Sequence, residues 1–249
     1  MERKKTKARL FVAAHLAARE TVALGKGKSH YLGNVMRIGV GDAIAVFNGR
    51  DGEWLARIDR LDKRGGVLFV ERRTRRQESE PDLWLAFAPL KKTRTDFLVE
   101  KACELGAARI LPVFTQRTAV KRLNVDRLRA TATEAAEQCE RLSVPDVAEP
   151  VALDRLLADW PAQRRLLAPV ETGDGRPMIE ALDETSVASG ILIGPEGGFS
   201  KAELDVLDKL PFVDKVGLGP RILRSETAAV AALTCWQAHV GDWRKQITR

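Results

Sequence analysis

Ile191-Leu192-Ile193-Gly194-Pro195-Glu196-Gly197-Gly198-Phe199-Ser200 and Val216-Gly217-Leu218-Gly219-Pro220-Arg221-Ile222-Leu223-Arg224-Ser225-Glu226-Thr227-Ala228 share one grammar. Each begins as a short apolar run, breaks at Gly and Pro, and enters a helical pattern. That reads as strand, loop, helix, twice over. Glycine lets backbone come close to a bound molecule, and proline holds the turn rigid. Two such loops side by side make a pocket lined by main-chain N–H and C=O groups. Either loop alone is equally explained as an αβ turn that needs Gly only for its geometry. Ser200-Lys201-Ala202-Glu203 is a capping box, so a helix starts directly after the first loop. Ser225 is a natural N-cap for a final helix to about residue 238, whose alanines 228, 229, 231 and 232 allow close packing.

Upstream of these loops, from Leu83 onward, strands and helices alternate, the signature of a parallel α/β sheet. Residues 83–88 read as a strand and 89–96 as a polar, basic stretch. A helix opens at Thr95 or Asp96, with Phe97, Leu98, Ala102 and Leu105 on its apolar face and Gly106 at its C′ position. A strand over 109–114 leads to an exposed Gln116-Arg117-Thr118. The next helix covers 126–140, with Glu134, Gln138 and Arg141 on one face. A short helix over 154–160, a strand over 165–170 and a surface turn over 173–177 complete the run to the first glycine loop.

Residues 8–73 read differently, as short strands at 8–12, 21–24, 43–47, 54–58 and 67–70 with one helical stretch near 30–38. Glycine-rich turns separate them, which suggests a small, partly open barrel. Residues 72–81 have no apolar periodicity and read as a linker. The net charge of +7 is unevenly spread: residues 1–76 hold 18 Lys and Arg against 8 Asp and Glu, and the remainder holds 23 against 26. The surplus therefore belongs to the N-terminal third, as in a polyanion-binding module joined to a near-neutral domain. Lys4, Lys5, Lys7 and Arg9 are candidate phosphate contacts. Phe11 either stacks on a base or fills the core.

Several classes are excluded or disfavoured. No apolar run approaches the ~20 residues of a membrane span. The basic start is followed by too short and interrupted an apolar stretch for a signal peptide, so a cytoplasmic location is expected. Cys103, Cys139 and Cys235 form no CxxC pair and no metal-ligand spacing with His15, His30 and His239, so no metal is expected. Neither the dinucleotide fingerprint nor a P-loop is present.

The wording of the two loops, GPEGGFS at 194–200 and LGPRILRSETA at 218–228, resembles the RsmE family of 16S ribosomal RNA (uridine-N3) methyltransferases, in the SPOUT class. The segments 30–49, 91–112 and 134–145 add to the likeness, although the acidic residue usual before the arginine is Thr93 here. The resemblance implies a PUA-like RNA-binding β-barrel over 1–78 and an α/β SPOUT methyltransferase domain over 82–249. That domain is a parallel sheet tied in a deep trefoil knot, and the protein is a homodimer acting on 16S rRNA, within the small ribosomal subunit, without metal or membrane. The implied S-adenosylmethionine (SAM) pocket comprises Ala168, Leu192, Ile193, Gly194, Pro195, Glu196, Gly197, Gly198, Leu218, Gly219, Arg221, Ile222, Leu223, Ser225, Thr227 and Ala228. Arg9, Phe11, Lys91, Lys92, Arg94, Arg117 and Arg141 are the implied RNA contacts.

Methyl transfer to uridine N3 requires in-line placement and removal of an imide proton. Arg224, at the start of the last helix, is the candidate for holding charge on the neighbouring oxygens. Glu196 and Glu226 are candidate proton acceptors, or else satisfy loop N–H groups. Two other classes stand beside this one: a non-catalytic RNA binder using the basic barrel, and an α/β metabolic enzyme with an incidental basic module. Intact glycine loops favour the methyltransferase over the first, and the charged module favours it over the second.

Overall fold

Alternating apolar and polar residues build the first sheet. In the computed structural model, which describes residues 6–173, 175–183 and 188–245, Lys4 and Lys5 lie outside the described residues. The chain runs through β1 (Arg9–Phe11), β2 (Thr21–Leu24), the short helix α1 (Lys26–His30), β3 (Ala43–Phe47), β4 (Glu53–Asp62) and β5 (Gly65–Arg75). These strands pair in the order β1-β3-β4-β5-β2, with β1 parallel to β3 and the other pairs antiparallel. Leu10, Val22, Ile44, Val46, Ile58, Leu68 and Val70 fill one buried core. Burying such side chains contributes about 1.5–3 kcal/mol each.

β5 runs through Arg75, where the sequence reads as linker. Its charged end is held by the backbone ladder rather than by apolar burial: Arg73 lies opposite Trp54, Arg75 opposite Glu53, and Thr74 Oγ1 donates to Glu53 O at 3.0 Å. The compact unit comprises residues 1–79 together with 136–144. Arg9 joins the two parts. Its guanidinium donates to Glu53 Oε2 at 2.7 Å, to Ala136 O at 2.7 Å and to Arg141 O at 2.5 Å, and lies over the Phe47 ring.

The second unit comprises residues 80–135 and 145–249. Its elements are β6 (Leu83–Phe87), α2 (Lys92–Glu104), β7 (Arg109–Phe114), α3 (Val125–Gln138), β8 (Asp146–Val147), β9 (Val151–Ala152) and α4 (Leu153–Ala158). There follow β10 (Arg165–Pro169), β11 (Arg176–Pro177), α5 (Met178–Ala181), β12 (Ser189–Ile193), α6 (Lys201–Leu207), β13 (Val213–Gly217) and α7 (Ser225–His239). The sheet is parallel throughout, in the order β11-β13-β10-β12-β6-β7-β8, with β9 beside β7. The expected parallel α/β sheet is therefore present. Its central strands are continuous apolar runs because both faces are covered. The segments β8, β9, β11 and α5 are two to four residues long and carry too little periodicity to read from sequence.

Helix ends correct the sequence reading in three places. α2 begins at Lys92, because the Thr95 hydroxyl bonds back to the N–H and C=O of Leu90 instead of capping a helix there. α3 stops at Gln138, and Glu140 takes φ +64°, so Arg141 leaves the face shared by Glu134 and Gln138. α7 has Arg224 at its N-cap and Ser225 as its first helical residue. The Ser200–Glu203 capping box forms as expected.

Candidate functional site

β10 is flanked by β12 on one side and β13 on the other, although both follow it in the chain. At such a switch point the loops leaving the strands diverge and open a crevice at the carboxyl ends. The crevice here is a cavity of about 470 Å³, within the size range of small-molecule pockets. Three loops wall it, through residues 169–173, 175 and 177 after β10, 193–195, 198 and 199 after β12, and 217–223 after β13. Ser225 and Ala228 at the start of α7 close it.

Of the residues assigned to cofactor from sequence, Ile193, Gly194, Pro195, Gly198, Leu218, Gly219, Arg221, Ile222, Leu223, Ser225 and Ala228 line this cavity. Ala168 and Leu192 are wholly buried inside β10 and β12. Glu196, Gly197 and Thr227 are exposed residues outside the lining. The third wall is a correction. Residues 169–173, Gly175 and Pro177 form it, where the sequence reads as a surface turn at 173–177. Asp174 lies outside the described residues. The signal was available, since this segment repeats the apolar strand followed by Gly and Pro. Phe199, Leu204, Gly217 and Pro220 complete the lining.

The first loop is held in shape from its neighbours. Gly198 N donates to Pro195 O at 2.9 Å, closing a turn. Gly198 has φ +64°, a conformation that favours glycine, and a Cβ there would lie 2.8 Å from the movable Glu171 Oε1. Arg117 Nη1 donates to Gly197 O at 2.8 Å and to Phe199 O at 3.3 Å. The buried Glu203 accepts from Gln116 N and from Ser200 N, each at 2.7 Å, and its own N–H donates to Ser200 Oγ. One carboxylate thus pins the loop after β7, the glycine loop and the start of α6. Arg117, expected to face RNA, is exposed and is engaged with the loop.

Charged groups gather on the same elements. Arg94 lies between two carboxylates, with Nη1 3.8 Å from Glu196 Oε1 and Nε 3.5 Å from Glu226 Oε1. Glu226 is mostly buried, and its Oε2 has no hydrogen-bond partner among the described residues. Such an oxygen carries an unmet desolvation cost and is poised to accept a proton donor. Arg224 is exposed and makes no side-chain hydrogen bond or ion pair among the described residues. Lys91 is exposed at the N-cap of α2, and the Lys92 side chain lies outside what is described.

The other expected RNA contacts are occupied within the first unit. The Arg9 side chain is only 9% exposed and has the partners given above. The backbone N–H of Phe11 donates to Glu137 Oε1, and its ring meets Phe47 edge-on at 5.6 Å. Arg141 Nη2 donates to Ser143 Oγ at 3.3 Å. Among the described residues no group of His, Cys, Asp and Glu could hold a metal, and no helix is long and apolar enough to cross a membrane.

The RNA methyltransferase domain family matches residues 77–237, and the RNA methyltransferase PUA domain matches residues 24–71. The chain is 32% identical to the ribosomal RNA small subunit methyltransferase E of Synechocystis, over 90% of this chain and 75% of that protein. It is 29% identical to the corresponding protein of Rickettsia conorii, over 90% and 93% of the two chains. Among solved structures, the ribosomal RNA small subunit methyltransferase E of Neisseria gonorrhoeae, bound to S-adenosyl methionine, superposes with a TM-score of 0.86. The two are 28% identical, over 95% of this chain and 99% of that one.

Proposed function

Because the chain belongs to the RNA methyltransferase family that contains the small-subunit ribosomal RNA methyltransferases E, we propose that it transfers a methyl group from SAM to N3 of a uridine in 16S rRNA. The observation that carries this reading is the cavity at the carboxyl ends of β10, β12 and β13, walled by both glycine loops. Its character fits SAM. Backbone and apolar groups dominate the walls, and Ile222 at 81% exposure offers apolar surface to a bound group. Residues 193–198, 218–223 and 169–173 would hold the adenosine and amino-acid parts. When bound, SAM supplies an electrophilic methyl on a sulfonium.

The protein's part is to hold the uracil and take its proton. The imide N3–H of uracil is flanked by two carbonyl oxygens. Glu226 Oε2, lacking a partner, accepts the N3 proton, with Glu196 as the neighbouring acceptor. Arg94 and Arg224 donate to the carbonyl oxygens, where negative charge grows as the proton leaves. Transfer is direct and in line, so no covalent intermediate on the protein is involved.

The same reading gives the basic first unit the role of binding rRNA, assigns the domains to 1–78 and 82–249, and makes the protein a cytoplasmic homodimer. It also ties the C-terminal sheet in a trefoil knot. The placement of β12 and β13 on opposite sides of β10, with β11 on the far edge of β13, supports that threading. Light scattering that gives twice the 27.5 kDa chain mass would support the dimer.

The test uses purified protein, SAM and undermethylated small ribosomal subunits, with modification read as reverse-transcription stops. A methyl on N3 blocks Watson–Crick pairing, so the expected result is one SAM-dependent stop in 16S rRNA, lost in Arg224→Ala. SAM binding without a stop would reject the substrate, and absence of SAM binding would reject the whole reading.

A further inference from the structure

The five-stranded unit carries a second recess, of about 510 Å³, between the β3–β4 turn and the end of β5. We propose that it binds a single-stranded segment of the substrate RNA, with Arg50, Arg73 and Arg76 on its phosphates and a base or ribose against Trp54. The proposal rests on the methyltransferase reading for the identity of the RNA.

Charge makes the recess anion-binding. All three arginines are exposed. Arg50 spends Nη2 on Ala13 O, 2.9 Å away, and keeps the rest of its guanidinium. Arg73 lies 5.9 Å from the centroid of the Trp54 ring, and neither it nor Arg76 makes an ion pair among the described residues. The one acid in the lining, Asp51, is already engaged. Its Oδ2 accepts from Leu16 N at 2.9 Å and Asn48 Nδ2 at 2.6 Å, and lies 3.0 Å from His15 Nδ1.

Two features point to RNA rather than to a bare anion. Gln77 Oε1 is buried in this lining without a hydrogen-bond partner, while its Nε2 donates to Glu78 O at 3.1 Å. A buried carbonyl oxygen left open asks for a donor. A ribose 2′-hydroxyl or a base N–H supplies one, and a phosphodiester oxygen, an acceptor only, does not. Trp54 offers a ring whose N–H is already bound to Asp51 O at 2.9 Å, which fixes its plane. Cations beside an aromatic ring are the usual components of single-strand binding.

The recess is also built before any ligand arrives. Asn48 Oδ1 accepts the N–H groups of Arg50 and Asp51, at 3.0 and 2.8 Å, and shapes the turn. Gly52 has φ +84°, and a Cβ there would fall 2.2 Å from Arg75 O. The turn therefore packs backbone to backbone on the end of β5 and fixes Arg50 opposite Arg73 and Arg76. Such preorganisation reduces the entropy lost on binding.

The experiment measures binding of a fluorescein-labelled 12-nucleotide oligouridylate to the full chain as a function of salt, with SAM binding followed by calorimetry. Arg50→Gln/Arg76→Gln is expected to weaken RNA binding about tenfold and to flatten the log–log salt slope by about 1.4, for two phosphates released. Its SAM affinity should equal that of the wild type. Gln77→Leu is expected to weaken RNA binding about threefold while raising the melting temperature, since it removes a buried oxygen without a partner. If the wild-type chain binds and methylates RNA while the variants match it in affinity and slope, the recess proposal is overturned and the methyltransferase reading stands. Variants that bind the oligonucleotide normally but show a raised KM on assembled subunits would assign the recess to a protein surface, which also overturns it. A wild-type chain that methylates small subunits but binds no oligonucleotide overturns the recess proposal alone, and one that neither binds SAM nor methylates subunits overturns both.

Discussion

Glu226 and Arg117 show how two charged side chains take different work from their surroundings. Glu226 keeps one carboxylate oxygen near Arg94 and leaves the other buried without a partner. Glu226→Gln keeps the shape and removes the proton acceptor. Its kcat is expected to fall by about 10²-fold, with the SAM dissociation constant unchanged in calorimetry. Loss of SAM affinity in step with kcat would mean that Glu226 shapes the pocket instead. Arg117 holds the carbonyls of Gly197 and Phe199 from outside the cavity. Removing it in Arg117→Ala should cost about 1 kcal/mol of SAM affinity, about fivefold, because the loop must then be ordered by the ligand. If RNA binding falls while SAM affinity stays, Arg117 contacts substrate.

At the scale of elements, the glycine loop and α6 act as one piece. The capping box joins Ser200 to Glu203, and Glu203 in turn holds the N–H of Gln116 beyond β7. Ser200→Ala removes one cap and should lower stability by about 1 kcal/mol, seen as a fall of about 2–4 °C in Tm. Gly198→Ala is a different case. Its φ of +64° strains any L side chain in the turn, and the new methyl also pushes the Glu171 carboxylate aside. The expected result is a loss of SAM affinity of at least tenfold, with a smaller change in Tm because the strands are untouched. An unchanged affinity would show that the loop relaxes without loss of the pocket.

Across the whole molecule, acid should affect the first unit through a buried pair. Burial alone would push the Glu53 carboxyl up, but the hydrogen bond and charge of Arg9, with help from Thr74 and Arg75, outweigh it and hold the group below the ordinary glutamate range. A carboxyl depressed in the folded state stabilises the fold above its unfolded value, about 4.3, and that stability is lost as pH falls through the folded value. Melting between pH 7 and pH 3 should therefore show the wild type losing stability more steeply than Glu53→Gln. At neutral pH the same variant should be less stable by roughly 3 kcal/mol, since Arg9 is left as a buried cation with its main partner gone. Parallel pH curves for the two proteins would assign the acid sensitivity elsewhere.

Read by itself, the chain determined the alternating strands and helices of a parallel sheet, the capping box at Ser200, the closing glycine at 106 and two of the three loops around the cavity. Each of these is written in contacts between residues a few positions apart, where periodicity and turn chemistry act. Only the tertiary structure decided the rest. Nothing near Arg117 in the sequence points to its partner, Gly197, 80 residues away, whose carbonyl the assembled sheet brings within 2.8 Å. Arg9 reads as a phosphate contact until Ala136, 127 residues on, takes its N–H. The loop after β10 becomes a wall only because β13 adds to one side of β10 and β12 to the other. Partners so distant in the chain leave no periodic trace in the sequence, because their meeting depends on the order in which strands pair and not on any local preference.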